Sequence, residues 1–205
     1  MQQRVQKKPM GKITVGFTMS LDGFIAGPND DVGPLFRWYF SGDTELKVAG
    51  APPFKISRAS AELLRETWGA IGAIVTGRRD FDVSNAWGGN ALLGVPTFIV
   101  THSVPQEWAT PGSPFTFVTE GVESAVEKAR AVAGDKDINI GGTQIVQQCL
   151  RASLVDEIQI DLVPILLGAG IRLFDQLGPD PIELENIGVI EGKGVTHLRF
   201  RVKKL

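Results

Sequence analysis

The hydrophobic positions of this chain follow two periods, one typical of strands and one typical of helices. Residues 12–18 alternate between apolar and polar types and are rich in β-branched side chains, which predicts a first strand. Residues 70–76 and 96–101 are short, continuous apolar runs, typical of strands buried on both faces of a parallel sheet. Further strands are predicted at 115–118, 137–140, 154–163, 182–191 and 195–202.

Apolar residues at helical spacing fill most of the intervals between these strands. Ser57 is a good N-cap for a helix that continues to about Glu66, and residues 122–132 form a second amphipathic pattern. The stretch up to residue 150 that follows a glycine pair predicts a third helix. The aromatic residues 35–39 predict a short one.

The order of these elements predicts the fold class. Strand–helix units followed by two strands joined at 192–194 indicate an α/β fold. A mostly parallel central sheet should carry helices on both faces, with an antiparallel C-terminal hairpin at one edge. Residues 41–55 have no sustained period, which predicts a long loop. Residues 1–9 are expected to be a disordered tail, and residues 10–205 a single domain.

Composition narrows the classes of function. The chain is 43% hydrophobic and 21% charged with a net charge of -2, so no global field favours nucleic acid or an acidic membrane. Neither a signal peptide nor a membrane-spanning run is recognisable, so we expect a cytoplasmic protein that acts on a small molecule. The single cysteine, Cys149, excludes an intramolecular disulfide and is expected to be buried. His102 and His197 have no ligand spacing around them, so no metal site is predicted.

Gly141 and Gly142 lie between a predicted buried strand and a predicted helix. Two adjacent glycines let the backbone contact a ligand because no Cβ stands in the way. The free N–H groups and the dipole of a helix start favour an anion, so a phosphate is the natural ligand. The alternative is an ordinary tight turn between strand and helix.

Two other predicted strands end in polar segments. Gly77-Arg78-Arg79 offers N–H groups and guanidinium groups to a phosphate, and Thr101-His102-Ser103 offers hydroxyls and an imidazole or else forms a polar turn. Because the carboxyl ends of parallel strands meet at one edge, these segments and the glycine pair predict a dinucleotide cradle with an extra phosphate site. Asp80 would repel a phosphate and is interpreted as a helix cap. Neither the G-x-G-x-x-G fingerprint nor the P-loop motif occurs.

Five blocks of the chain resemble, in order, the dihydrofolate-reductase-like superfamily. They are SLDGFIA (20–26), VTGRRDF (75–81), VTH (100–102), IGG (140–142), and VDEI (155–158) with PILLGAGIRLF (164–174). The S-L-D-G and P-x-L-L-G-x-G blocks are most similar to the reductase domain of bifunctional riboflavin-biosynthesis deaminase-reductases. The resemblance covers roughly residues 11–203.

This resemblance implies an NADPH-dependent reductase that forms a homodimer through residues near 154–163 and 164–174. In the family, the G-R segment and the strand end at 101–103 hold the 2′-phosphate side of the adenosine. The glycine pair holds the pyrophosphate, often through a cis peptide, and residues 20–26 line the nicotinamide and substrate side. The implied cofactor-binding residues are Ala26, Gly77, Arg78, Arg79, Thr101, His102, Ser103, Ile140, Gly141, Gly142, Thr143 and Gln144.

The chain also departs from that family. Asp80 stands where the family often has threonine, and residues 35–55 replace part of the pocket for the substrate. The family substrate is 5-amino-6-(5-phosphoribosylamino)uracil, but the departures leave the substrate open. A reductase of a small heterocyclic compound is the first hypothesis. An NADPH-binding ligand sensor without turnover is the second, and a structural dimer module is the third.

No acid–base pair and no Ser-His-Asp pattern is evident in the sequence, which suits hydride transfer because that chemistry needs orientation and one proton source. Asp22 is the candidate catalytic residue near the nicotinamide, and its alternative role is to cap a tight Asp-Gly turn. Trp38 and Trp87 are candidates to stack on a flat substrate, with burial in the core as the alternative.

Overall fold

The computed structural model describes residues 11–49 and 51–204. The expected disordered tail, residues 1–9, lies outside the described residues. The strands are β1 (Ile13–Ser20), β2 (Phe24–Ala26), β3 (Thr44–Val48), β4 (Ala51–Ile56), β5 (Ile71–Gly77), β6 (Thr97–Val100), β7 (Phe115–Val118), β8 (Asp137–Ile140), β9 (Glu157–Val163), β10 (Ile171–Arg172), β11 (Leu184–Gly192) and β12 (Val195–Val202). The helices are α1 (Arg58–Ala70), α2 (Arg78–Val83), α3 (Val122–Ala133) and α4 (Thr143–Arg151), with short 3₁₀ helices at Pro28–Asp30, Leu35–Phe40, Asn85–Gly89 and Leu92–Gly94.

Eight strands form one sheet in the order β11-β12-β9-β1-β8-β5-β6-β7. The six strands from β9 to β7 run parallel, whereas β12 pairs antiparallel with both β9 and β11. This confirms the predicted, mostly parallel sheet with an antiparallel C-terminal hairpin at one edge. β5 is buried along all but its last residue, as its continuous apolar sequence predicts.

Helices α3 and α4 cover one face of the sheet. Alternation along the strands points Ile13 and Val15 of β1, together with Ile138 and Ile140 of β8, into the core beneath these helices. Cys149 of α4 belongs to the same core and is fully buried, as predicted. Burial raises the pKa of its thiol to about 12, so the residue packs as an inert apolar side chain.

Helix α1 covers the opposite face near the C-terminal hairpin. The Ser57 hydroxyl accepts a hydrogen bond from the Ser60 N–H at 3.3 Å, which confirms the predicted N-cap. Ala61 and Leu64 of the helix pack with Val163 of β9 in a second core. Helices therefore lie on both faces, as predicted.

The prediction of a long loop at 41–55 is wrong. This segment contains β3 and β4, which pair antiparallel as a two-stranded sheet of their own. Its register shifts between Leu46 and Val48, and Pro52 and Pro53 lie within β4. A bulged, two-stranded ribbon tolerates prolines because part of its backbone needs no partner strand, so the strand carries no alternating signal in the sequence.

The segment after β1 forms a second small sheet. It contains β2, which pairs with β10 and so joins the end of β1 to the glycine-rich segment 164–170. Among the described residues, every helix is too short or too polar to cross a lipid bilayer.

Candidate functional site

A cavity of about 810 Å³ opens where the carboxyl ends of β5, β6 and β7 meet the starts of α2 and α4. Its far wall comes from the exposed backbone of β1 at Gly16 and from the aromatic 3₁₀ helix at 35–40. The site is built at the edge of the sheet where parallel strands of an α/β fold present their ligand-binding loops.

The structure brings most of the predicted cofactor-binding residues together in this cavity. The residues that line it are Ala26, Gly77, Arg78, Arg79, Thr101, His102, Ser103, Gly142, Thr143 and Gln144. Two others do not line it. Ile140 is fully buried in the core, because its position in β8 points under α4, and Gly141 lies behind Gly142 against the end of β5.

Both arginines of α2 already have carboxylate partners. Nε of Arg78 donates to Oδ1 of Asp82 at 2.7 Å, and its Nη1 donates to the backbone oxygen of Ser103 at 3.2 Å. Nη2 of Arg79 donates to both carboxylate oxygens of Asp30 at 3.0 Å. A phosphate that binds here has to share or displace these carboxylates, since each arginine is held by an exposed ion pair.

The strand end after β6 is ordered by its own side chain. The Thr101 hydroxyl donates to the Ser103 carbonyl at 2.8 Å and accepts from the Ser103 N–H at 3.2 Å. Thr101 is therefore buried as the closure of a tight turn, whereas His102 and Ser103 are exposed. This turn carries the carbonyl that fixes Arg78 at the cavity.

Asp80 does not cap helix α2, which begins without a side-chain cap, so that interpretation is wrong. Its carboxylate instead accepts the Thr76 hydroxyl at 2.6 Å, one turn back toward β5. Burial raises the pKa of Asp80, and the hydrogen bond from Thr76 opposes that rise. A carboxyl group whose ionised form is disfavoured therefore lies beside the predicted pyrophosphate position.

The glycine pair is packed as tightly as the sequence predicts. A Cβ on Gly141 would approach the Thr76 hydroxyl oxygen to 2.9 Å, and one on Gly142 would approach the Gly77 nitrogen to 3.3 Å. Gly142 has a φ of +72°, which favours glycine, and it starts α4 without a side-chain cap. The peptide between the two glycines is trans, in contrast to the cis form implied by the resemblance.

These features fit the phosphates of a dinucleotide. The first turn of α4 presents backbone N–H groups at Thr143 and Gln144, which line the cavity and which side chains leave uncapped. Arg78 and Arg79 supply positive charge on the facing helix. The carboxylates of Asp82 and Asp30 compete with a phosphate for these arginines, and Asp80 adds a further carboxyl group beside the glycine pair.

Asp22 does not line the cavity. Its carboxylate accepts the Ser20 hydroxyl at 2.6 Å, the Leu167 N–H at 3.1 Å and the Gly168 N–H at 2.7 Å. The Ser20 hydrogen bond, followed by the two N–H groups, lowers the pKa of Asp22 to about 2 although partial burial opposes the shift. The side chain thus joins the turn after β1 to the segment at 164–170. The two N–H groups that it caps are distant in sequence and do not belong to the local Asp-Gly turn.

Sequence reasoning missed several residues of the cavity. Thr119 and Gly121 follow β7 as the predicted segments follow β5 and β6, so the same strand-end rule would have found them. Asp30 and Tyr39 carry no comparable signal. Trp87 lines the cavity, where it can contact a ligand, whereas Trp38 is buried in the core.

A buried polar chain lies behind the β1 wall. Nδ1 of His197 lies 2.7 Å from Oδ1 of Asp161, and its Nε2 lies 2.8 Å from the hydroxyl oxygen of Ser60. His197 and Ser60 are fully buried. The sequence was expected to contain no Ser-His-Asp pattern; the structure forms one because β9 and β12 pair with His197 opposite Asp161.

Comparison with known sequences identifies the family. A model described as the RibD C-terminal domain matches residues 11–197. The uncharacterized protein YwjB of Bacillus subtilis is 31% identical over 62 residues, a match that covers 30% of this chain and 36% of that protein. The match therefore spans little more than a third of that curated relative.

Comparison with solved structures identifies the fold. A putative riboflavin biosynthesis protein from Shewanella sp. PV-4 superimposes with a TM-score of 0.68 at 20% identity, over 94% of this chain and 99% of that one. A diaminohydroxyphosphoribosylaminopyrimidine deaminase/5-amino-6-(5-phosphoribosylamino)uracil reductase from Thermotoga maritima gives 0.65 at 14% identity, over 96% of this chain and 57% of that one.

The same fold extends to a more distant enzyme. Dihydrofolate reductase from Enterococcus faecalis, complexed with NADP(H), superimposes with a TM-score of 0.58 at 12% identity, over 96% of this chain and 99% of that one. The fold is thus dihydrofolate-reductase-like, as predicted. With a family model matched along most of its length, the chain belongs to the RibD C-terminal domain family.

Proposed function

We propose that this chain is an NADPH-dependent reductase of a small heterocyclic substrate. The cavity of about 810 Å³ carries the proposal, because it joins two chemically different ends in one space. One end presents the N–H groups of α4 and the arginines of α2. The other is an apolar wall of Phe17, Ile25 and Phe36, which suits a flat ring.

The residues present divide naturally between the parts of such a cofactor. Gly142, Thr143 and Gln144 would hold the pyrophosphate through backbone N–H groups, and Arg78 would hold the 2′-phosphate. The nicotinamide, when bound, supplies a hydride. The protein then orients the substrate, excludes water and supplies a proton.

The family and its neighbours support a pyrimidine derivative as the substrate. The Thermotoga neighbour is named as a reductase of 5-amino-6-(5-phosphoribosylamino)uracil, which is the substrate class we propose here. This chain spans 57% of that protein, so the proposal concerns the reductase reaction alone. Of the segment 35–55, which departs from the family pattern, Phe36 and Tyr39 line the cavity, so a related heterocycle is the alternative substrate.

A cofactor titration tests the proposal. The chain has four tryptophans, and Trp87 lines the cavity, so NADPH and NADH can be compared by tryptophan quenching and energy transfer. We expect NADPH to bind at least about tenfold more tightly than NADH, since one charge-assisted contact to the 2′-phosphate is worth about that much. Absence of any signal at millimolar NADPH would contradict the proposal. Loss of NADPH absorbance on addition of 5-amino-6-(5-phosphoribosylamino)uracil, called the aminouracil ribosyl phosphate below, would then establish turnover.

A second candidate function is an NADPH-binding sensor without turnover. Asp80 beside the glycine pair and the carboxylate partners of both arginines favour it, because each weakens the hold on a phosphate. NADPH binding without NADPH oxidation across a panel of pyrimidines and pterins would support this function. Steady turnover of any of them would exclude it.

We also propose that the chain works in the cytoplasm as a homodimer. Among the described residues β9 is paired along both edges, so contact through this region would use the segment 164–174. Leu166 and Phe174 of that segment are 72% and 37% exposed. Light scattering of the purified chain, with Leu166→Glu as the disrupting variant, tests the dimer.

A further inference from the structure

The cavity wall contains the single tyrosine of the chain. Tyr39 lies in the 3₁₀ helix at 35–40, stacked on Trp38 at 4.0 Å between ring centroids and packed on Phe54 at 4.7 Å. Tyr39 and Thr18 of β1 both line the cavity. The Trp38 indole N–H donates to the Thr18 hydroxyl at 3.3 Å. The phenol is therefore held in one place at the ligand-binding surface.

Asp161 is the charged group next to this pair. It lies directly opposite Thr18 in the pairing of β1 with β9, so its carboxylate is on the same face of the sheet. Burial, and then the charge of Asp161, raise the pKa of Tyr39 above its usual range, while the contact with Thr18 opposes the rise. Tyr39 is thus a neutral hydrogen-bond donor at physiological pH.

The buried chain behind β1 fixes that carboxylate. One oxygen of Asp161 accepts both from the Gln159 amide at 2.9 Å and from Nδ1 of His197 at 2.7 Å. With that nitrogen donating, Nε2 accepts the Ser60 hydroxyl, and Ser60 in turn accepts the hydroxyl of Ser57 at 2.9 Å. The chain runs from Ser57 at the start of α1 to the cavity wall.

This arrangement has the composition of a hydrolase triad but not its accessibility. Ser60 is fully buried, and Trp38 covers the imidazole edge-on at 5.4 Å, so no acyl group can reach the hydroxyl. The other end of the buried chain is Asp161, which lies opposite Thr18 in the pairing of β1 with β9.

We propose that Tyr39, held at the cavity wall by its packing on Trp38 and Phe54, is the proton donor of the reduction. This inference rests on the proposed reductase function. The substrate gains a hydride, with both electrons, from NADPH, which is oxidised to NADP⁺, and gains a proton from the Tyr39 hydroxyl. The phenolate regains a proton from water when the product leaves. One substrate double bond is thereby reduced, and charge and atoms balance.

The first experiment compares Tyr39→Phe with Phe40→Leu. Phe40 is the next residue of the same 3₁₀ helix, is 67% exposed and lies outside the cavity lining, so it is the matched control. For Tyr39→Phe we expect kcat with the aminouracil ribosyl phosphate to fall by about 100-fold to 10,000-fold, with KM and the Kd for NADPH within about threefold. A kcat for Tyr39→Phe within about threefold of the wild type, with NADPH still bound, would overturn the proposal and leave the proposed function standing.

A second measurement needs no substrate. Because the chain has one tyrosine, isotope labelling of the tyrosine ring gives a single NMR resonance for Tyr39. We expect this resonance to shift when NADPH saturates the protein, since the proton donor must lie beside the reacting ring. An unmoved resonance at saturating NADPH would overturn the role of Tyr39. Failure of NADPH to bind would instead refute the proposed function.

The role of Asp161 is read from the same resonance. Asp161 of β9 and, through it, His197 of β12 are the titratable groups that face Tyr39, whereas Arg37 and Lys55 on the neighbouring segments are exposed. Asp161→Asn should lower the pKa of Tyr39 toward the ordinary value of about 10, because it removes the nearby negative charge. An unchanged or raised pKa in a folded Asp161→Asn variant would show that the carboxylate does not act on the phenol.

Discussion

Asp80 and Asp22 both lie just beyond the end of a parallel strand, yet their carboxylates meet opposite surroundings. Asp22 accepts three hydrogen bonds from the turn and from the segment at 164–170, which lower its pKa to about 2. Asp80 accepts one from Thr76 and is otherwise desolvated, which raises its pKa. The Asp22 carboxylate, in the turn after β1 that we call the corner, makes all of these hydrogen bonds within the fold. The Asp80 carboxylate, in the cradle, is desolvated, which disfavours its ionised form.

Asp22 therefore belongs to a structural corner, whereas Asp80 belongs to a binding cradle. The corner satisfies its polar groups internally, so substitutions there should change stability and leave ligand affinity alone. The cradle has two arginines and a carboxyl group with a raised pKa around an open cavity. Substitutions there should change affinity. The following variants test that division, in order of expected effect.

The largest effect is expected for Gly141→Ala. A Cβ at this position would lie 2.9 Å from the Thr76 hydroxyl oxygen, so the turn has to move away from β5. We expect a loss of about 1–3 kcal/mol in the free energy of unfolding, typical of overpacking. NADPH affinity should fall by at least about tenfold, which corresponds to a similar energy. Gly69→Ala on α1, where a Cβ meets nothing within 4 Å, is the control. Unchanged NADPH titrations for Gly141→Ala would show that the glycine pair is not part of the cradle.

Arg78→Ala should weaken NADPH binding by about 10-fold to 100-fold, the value of one charge-assisted contact. NADH binding should change much less, because NADH lacks the 2′-phosphate. Arg58 is a closely matched control, since it also opens a helix and pairs with a carboxylate one turn on at 2.7 Å. Equal losses of affinity for NADPH and NADH would show that Arg78 does not contact the 2′-phosphate.

Asp80→Asn should strengthen NADPH binding at alkaline pH by about threefold to tenfold, as expected for removing one nearby negative charge. Burial raises the pKa of Asp80, so its neutral form prevails below that pKa and its ionised form above it. Wild-type affinity should therefore rise as pH falls through the raised pKa, and the variant should lack this trend. Glu62→Gln, an exposed substitution on α1, serves as the control. A wild-type affinity that is flat with pH would place Asp80 outside the field of the phosphates.

The smallest effect on binding is expected for Asp22→Asn, which should leave the Kd for NADPH unchanged. Its effect is on stability. The folded-state pKa of about 2 is below the ordinary value of 3.8, so the stabilisation is fully present above the ordinary pKa. It is lost as pH falls through about 2, where the melting temperatures of variant and wild type should converge.

Asp31→Asn is the control for that experiment, since Asp31 accepts a single N–H group from Gly33 within its own turn at 2.9 Å. If Asp22→Asn instead lowered kcat without lowering the melting temperature at neutral pH, Asp22 would be catalytic as the sequence suggested. The contrast between corner and cradle would then fail.

The two regions also differ in how well the sequence predicts them. The cradle follows from a general rule, since polar segments after buried parallel strands converge at one edge, and the segments at 77–79, 101–103 and 142–144 do so. The large parallel sheet was predictable because its buried strands are continuous apolar runs. Strands β3 and β4 were not, since a short ribbon with adjacent prolines has neither alternation nor a continuous run.

Contacts between residues far apart in the chain escaped prediction. His197 and Asp161 are 36 residues apart and meet through the register of β12 on β9. Ser60, 137 residues from His197, reaches the imidazole from helix α1. The ion pair between Arg79 and Asp30 joins α2 to the 3₁₀ helix at 28–30 across 49 residues. Local patterns identify elements and their ends, whereas the partner of a polar side chain depends on strand order.

The cradle at Gly141 and Gly142 is made of main chain and of the space where side chains would be. Every amino acid except proline has the same main-chain donor, so most substitutions at surface positions leave this part of the site unchanged. The wall formed by the 3₁₀ helix at 35–40, by contrast, is made of side chains such as Phe36 and Tyr39. We expect that, in a library of random variants selected for binding of NADPH, the glycine pair would stay invariant while the opposite wall diversified. The scaffold would then be a good starting point for evolving new substrate specificities around an unchanged cofactor site.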